Sequence, residues 1–423
     1  MKPVLKTLPN GLRVLVIPEP SALTATTLVL VGTGSLYENA KENGLSHFLE
    51  HVYFKGTETF KTAKDVAEQF EQIGAVTNAF TAPEYTGYFA KGLPQHVPTF
   101  LSVLGDMYQN ATFPEIEIDK ERGVIIEEIN MYEDQPQQKV AETLLALMYG
   151  DQPAGRTITG PKANIARFTR TDLLAYKHKH YHPENTIVVV AGAVDAQVVY
   201  KEARAIFGAL VPTRRSKKPK TRITRSGPAC TVVHKAFDQA HIALGFHTVP
   251  FGHKDTYALS LLATLLGRGL SSRLAQVLRE ELGAAYYTSA GNDLAGDHGM
   301  FEIVAGIDIS RINQILAAIA GVLRDVRTTL VCDRELKKAV EYTVGLQRMG
   351  LESSDDIAGF YGIQYMLKGS AQSPADLEKQ YRSVTAADIR RVARKVFVGS
   401  NTSLAVIGPF TPSDISLAPF RTL

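Results

Sequence analysis

The chain is poor in the features that would place it in several broad classes. It has two cysteines in 423 residues, Cys230 and Cys332. That is too few for a disulfide framework, and they are not spaced as a C-x-x-C zinc or redox pair. No uninterrupted apolar run reaches the roughly 18 residues that a membrane-crossing helix needs. No G-x-G-x-x-G follows a strand-like run and no Walker A pattern occurs, so nucleotide-binding folds have no motif support. Nor is one sign of charge in excess: 46 Lys and Arg stand against 43 Asp and Glu. Even the small surplus is local. The segment 212–228 (PTRRSKKPKTRITRSGP) carries seven basic residues and no acid. The remainder is therefore slightly acidic, and a solvated tether is expected there, with no nucleic-acid partner. The first residues, MKPVLKTLPNGLRVLVIPEP, lack the apolar stretch of a secretory signal and the amphipathic Arg/Ser pattern of a transit peptide. A cytoplasmic protein with no membrane partner is expected; a form with its leader removed would look the same.

What is present is ordinary globular composition, 45% hydrophobic and 21% charged, in a length that suits about two or three domains. An internal duplication favours two. Residues 169–192 read TRTDLLAYKHKHYHPENTIVVVAG and residues 385–408 read TAADIRRVARKVFVGSNTSLAVIG. At one constant offset, Thr169, Asp172, Lys179, Asn185, Thr186, Val190 and Gly192 match Thr385, Asp388, Lys395, Asn401, Thr402, Val406 and Gly408. Each copy reads as a helix with a T-x-x-D start, a turn, and a buried strand ending in Gly. The expected organisation is residues 1–211 as one domain, 212–228 as a basic linker, and 229–423 as a homologous second domain. Strand-like runs at 12–17, 26–31 and 76–81 alternate with helical stretches at 43–54, 62–73, 94–109 and 115–133. In the second half, strands at 230–235 and 241–248 precede helices near 255–266 and 271–282. The expected class is α+β, two tandem domains, each a mainly antiparallel sheet flanked by helices.

The most informative residues are Gly44-Leu-Ser-His47-Phe-Leu-Glu50-His51. Four residues apart on a helix, His47 and His51 share a face and can grip one ion. Glu50 sits at the edge of that face, placed to take a proton from water activated by the ion. The H-x-x-E-H order is the inverted zincin arrangement. Chance supplies it in only about one chain in fifty of this composition. A catalytic zinc wants a third protein ligand. The segment Ile116 to Tyr132 (IEIDKERGVIIEEINMY) is the candidate donor, with an expected apolar face of Ile118, Val124, Ile125, Ile129 and Tyr132. Glu128 falls among these apolar neighbours, where a carboxylate is costly unless paired or metal-bound. Glu127 falls on the solvent side. Glu121, seven residues before Glu128, is placed either to orient a ligand or to pair with a nearby Lys or Arg. His178, His180 and His182 are spaced by two and read as a helix end, not a second metal site.

These motifs resemble those of the pitrilysin-type (M16) metallopeptidases, the family of mitochondrial processing peptidase and insulin-degrading enzyme, and most of all its short two-domain branch. GLSHFLEHVYFKGT resembles the family's zinc helix and ERGVIIEEI its downstream Glu helix. GAVTNAFTAPEYTGYFA resembles the strand that follows, and GRGLSSRLAQVLREELGAAYYTSA the start of the second domain. The resemblance implies a zinc endopeptidase with one Zn²⁺ per chain, held by His47, His51 and Glu128, with Glu50 as general base and Glu121 behind a ligand. It places an Arg and a Tyr that contact the substrate on Arg279 and Tyr286. The residues alone would equally allow a helix-surface charge and a core strand residue there. It makes Asn78, Ala79 and Phe80 part of an edge strand on which an extended peptide substrate adds, although Asn78 also reads as an ordinary turn-to-strand residue. It further implies a homodimeric clamshell. Two alternatives stand beside this: a non-catalytic peptide-binding or assembly subunit, which an intact H-x-x-E-H disfavours, and one chain of a heterodimeric peptidase. Arg268 interrupts what is often a plain glycine run in the family, and the second half has no H-x-x-E-H of its own.

Overall fold

Two sheets carry the chain in the computed structural model, which describes residues 2–212, 217–223 and 227–423. The first has six strands: β1 (Val4–Thr7), β2 (Arg13–Pro18), β3 (Ala25–Val31), β4 (Val76–Thr81), β5 (Thr86–Gly92) and β6 (Thr186–Gly192). Their spatial order is β1-β2-β6-β3-β5-β4. The second has five: β7 (Ala229–His234), β8 (Gln239–Thr248), β9 (Ala285–Leu294), β10 (Gly299–Asp308) and β11 (Thr402–Gly408), ordered β7-β11-β8-β10-β9. In each sheet one pair is parallel, β2 with β6 and β7 with β11, and the other pairs are antiparallel. This is the expected α+β class. Apart from the extra β1, the two strand orders correspond one to one. The duplication holds at residue level as well. Helices Arg170–His180 and Ala386–Val396 both start behind a threonine engaged in a capping box with Asp172 or Asp388. Fully buried β6 and β11 then follow at equal spacing.

A sheet has two faces, and the contiguous domain boundaries expected from sequence need correction because of it. In the first sheet one face packs on helices of its own half. The other, built from Leu15, Ile17, Leu28, Leu30, Ile187 and Val189, is covered by Ile357, Ala358, Tyr361 and Met366 of the helix Ser354–Lys368. In the second sheet the reciprocal cover is the helix Pro136–Tyr149. It lies so close to β8 that a Cβ on Gly245 would sit 2.4 Å from Met148 Sδ. The compact units are therefore 1–129, 157–219 and 349–371 on the one hand, and 130–156, 220–348 and 372–423 on the other. Each half of the sequence lends the other unit one helix.

Part of the basic segment, residues 213–216 and 224–226, lies outside the described residues. The described part has no regular structure but is anchored, which corrects the expectation of a freely solvated tether. Lys218 pairs with Glu84 at 2.7 Å, and the Thr221 amide donates to Asp297 at 2.8 Å. No described helix is long and apolar enough to cross a membrane.

Candidate metal centre

The helix Leu45–Val52 is only eight residues long. Leu45, Phe48, Leu49 and Val52 recur at the three- and four-residue spacing of one helical face and are buried in the core of the first unit. That stripe fixes the rotation of the helix and turns His47 and His51 to one flank, with ring centroids 4.8 Å apart. Gly44 opens the helix at φ +105°, a conformation that a side chain would strain.

The helix Glu115–Asp134 supplies the opposing side. Its buried face is Ile118, Glu121, Ile125 and Ile129. Val124, expected on that face, is instead exposed, because it stands about 100° round the helix from Ile125. Glu127 is exposed as expected. Glu128 reaches back to the histidines, its Oε2 3.4 Å from His47 Nε2 and 3.5 Å from His51 Nε2. All three donor atoms lie within 4.8 Å of one another. Ligands held about 2.1 Å from one tetrahedral ion are separated by about 3.4 Å, so two imidazoles and a carboxylate here fit zinc in chemistry and spacing.

The surroundings tune these groups. Glu121 Oε2 meets His51 Nδ1 at 3.0 Å, while its Oε1 takes Lys55 Nζ at 2.7 Å. Glu121 therefore contacts both His51 and a neighbouring lysine at once. The contact leaves His51 Nε2 facing Glu128, the arrangement in which a second carboxylate fixes a ligand's tautomer. Burial, with the neighbouring His51, pulls His47 down to about 4, so its imidazole is neutral and keeps a lone pair. His51 is pushed up to about 9. There burial acts downward, but hydrogen bonds to Glu121 and Glu128 and the charge of Glu50 outweigh it. Positive charge is thus favoured between these carboxylates, whether carried by a proton or by a metal that displaces it. Burial raises the Glu50 carboxyl, opposed by a hydrogen bond that Thr81 Oγ1 donates from β4.

Two of these neighbours, Thr81 and Lys55, were not identified from sequence. Lys55 lies just past the end of the helix that carries His51, and its pairing with Glu121 depends on the two helices packing together. Thr81 likewise gave no signal, since its contact depends on β4 passing the metal helix.

β4 is the outermost strand of its sheet. Asn78 is exposed, and its Oδ1 accepts the Ala79 amide at 2.8 Å. Phe80, half-buried on the same strand, is packed within its own sheet. Its ring stacks edge-on with Tyr85 and lies over Gly87, where a Cβ would meet it at 2.3 Å. Arg279 and Tyr286 belong to the second unit. Arg279 lies in a π-helical turn, Gln276–Glu281, and Tyr286 on the outermost strand β9. Both line one cleft of about 240 Å³ with Leu270, Ala275 and Tyr287. Tyr286 is 63% exposed, so the reading of a core strand residue fails for it. His178 is exposed at the end of its helix, His180 and His182 are buried, and the three are in no metal-binding group of three or more among the described residues.

Comparison with known proteins finds relatives along nearly the whole chain. The sequence profile of the insulinase family (peptidase family M16) matches residues 13–162, and that of the M16 inactive domain matches residues 167–342. A Bacillus subtilis protein described as the uncharacterized zinc protease YmxG is 34% identical, the match covering 95% of this chain and 97% of that one. A Streptomyces coelicolor protein, also described as an uncharacterized zinc protease, is 34% identical over 97% of this chain and 90% of its own. The crystal structure of a protease from Helicobacter pylori superposes with a TM-score of 0.90 at 27% identity, covering 96% of this chain and 99% of that one.

Proposed function

Because the chain belongs to the M16 insulinase family of peptidases, we propose that it is a zinc-dependent endopeptidase acting on unfolded peptides or short presequences. The observation that carries this reading is the triangle of His47, His51 and Glu128 with Glu50 on the same short helix. Zinc bound there would act as a Lewis acid, polarising a scissile carbonyl and making water more acidic. Glu50, held by Thr81, accepts the proton of the attacking water and delivers it to the departing amine. β4 offers an open edge beside the metal helix, to which an extended chain can add by main-chain hydrogen bonds. An unfolded peptide exposes its main chain along its whole length and meets this requirement without prior unfolding.

Arg279 and Tyr286 provide a guanidinium and a phenol, both exposed and sharing one cleft, as donors towards a developing oxyanion. We assign them to the substrate of a second copy of the chain, in a homodimer that encloses its substrate. Each chain carries both halves of the chemistry, so a homodimer needs no other subunit. The test is Glu50→Gln. It should retain stoichiometric zinc and lose cleavage of an unstructured peptide by about 10²–10⁴-fold. Undiminished cleavage by metal-replete variant protein would refute the assignment.

A further inference from the structure

The metal helix lacks a side-chain cap at its own N-cap residue, and a buried carboxylate six residues earlier replaces it. Gly44, at the N-cap, has no side-chain oxygen for the amides of the first turn. Such amides are left without intrahelical partners, and water cannot serve them in a buried site. Glu38, fully buried, meets this need. Its Oε2 accepts the Gly44 amide at 2.8 Å and its Oε1 the Ser46 amide at 2.7 Å. Asn43 Nδ2 donates to the same carboxylate at 3.2 Å and also to the Thr157 carbonyl at 2.9 Å. Ser46 is held a second time through its hydroxyl, 2.9 Å from Tyr176 OH.

Glu38 is not among the residues that can reach the ion. Its two oxygens nevertheless sit at the positive end of a two-turn helix, where acceptors for the first amides are favoured. Ser46, whose amide it holds, directly precedes His47, and His51 follows one turn later. An eight-residue helix has no remote turns to absorb a displaced start. A shift of its first turn therefore moves both imidazoles relative to Glu128.

We propose that Glu38 is a positioning residue for the metal centre, its carboxylate setting the register of the ligand-bearing helix against the Glu128 helix. This rests on the metal-site reading above and goes beyond it. Glu38→Gln keeps the shape but offers one acceptor oxygen and an amide group that opposes a backbone N–H. The variant should fold, with circular dichroism unchanged, and bind Zn²⁺ at least tenfold more weakly in competition with a chromophoric chelator. The visible absorption of its Co²⁺-loaded form should also change. A variant that only melts lower, with zinc affinity and the cobalt spectrum as in the unaltered protein, would overturn the proposal. Should Glu38→Gln fail to fold, Asn43→Ala decides the matter, since it leaves the carboxylate but removes its lateral support. A severalfold weaker zinc affinity supports the role, and unchanged affinity overturns it. The unaltered protein separates the two levels of inference. If it binds no stoichiometric zinc, the metal reading itself fails; if it binds and Glu38→Gln matches it, only the role of Glu38 fails.

Discussion

Glu302 offers a test of the second unit that is independent of any metal. It lies on β10 between Phe301 and Ile303, whose side chains are in the main apolar core of that unit. Alternation along the strand turns Glu302 to the opposite face, directly across from Gly245 and Gly291. That is the face on which the helix Pro136–Tyr149 packs. Its Oε1 is buried without a hydrogen-bond partner among the described residues. Burial, reinforced by the charge of Asp293, pushes its carboxyl up to about 7 from an ordinary 4.5. The unfolded chain gives up this proton near 4.5 while the folded protein keeps it to about 7. Folding stability therefore falls as pH rises through that window, and the full penalty, roughly 3 kcal/mol, is present above it. Glu302→Gln is neutral in both states and removes the dependence. The chain has no tryptophan, so urea unfolding is best followed by circular dichroism. Between about pH 4.5 and pH 8 the stability difference should move by roughly 2–3 kcal/mol in favour of the variant. A difference that stays constant with pH, or moves the other way, would refute the argument.

Two further outcomes follow from the site. Glu121→Gln keeps a hydrogen-bond acceptor for His51 but loses the charge that Lys55 also uses; zinc affinity, measured by chelator competition, should fall about 10–100-fold. Mixing Arg279→Ala chains with Glu50→Gln chains should recover part of the activity that each lacks alone, if Arg279 serves the partner's substrate. No recovery from verified mixed dimers would rule out that arrangement.

Much of the centre was legible in the sequence because it is local. His47, Glu50 and His51 share two turns of one helix, and helical spacing alone puts them on one flank. Glu128 and Glu121 could be separated from Glu127 by the same periodicity. Val124 was misplaced because an apolar residue on a long helix need not face inward, and here it is 51% exposed. Neither helices nor strands were all found: the helix Ser354–Lys368 and the strand β9 were both missed. β9 (AYYTSAGNDL) ends in turn-forming residues and lies at an edge, so its pattern does not alternate cleanly. Glu38 and Thr81 could not be found from spacing, because each acts across loops or strands that only the folded chain brings together. The borrowed helices were hidden for the same reason. Nothing within Ser354–Lys368 says which sheet it will cover.

That exchange has a consequence for how the protein is made. One face of the first sheet is closed by a helix that begins at Ser354, late in the chain. A ribosome will have released all six strands long before that helix exists. Leu15, Leu28, Leu30, Ile187 and Val189 must wait in the nascent chain with their apolar face bare, a state prone to association. The amino-terminal half is thus not a domain that can mature ahead of the rest. Its sheet is finished only when synthesis is nearly done, and truncation anywhere before residue 354 leaves it open.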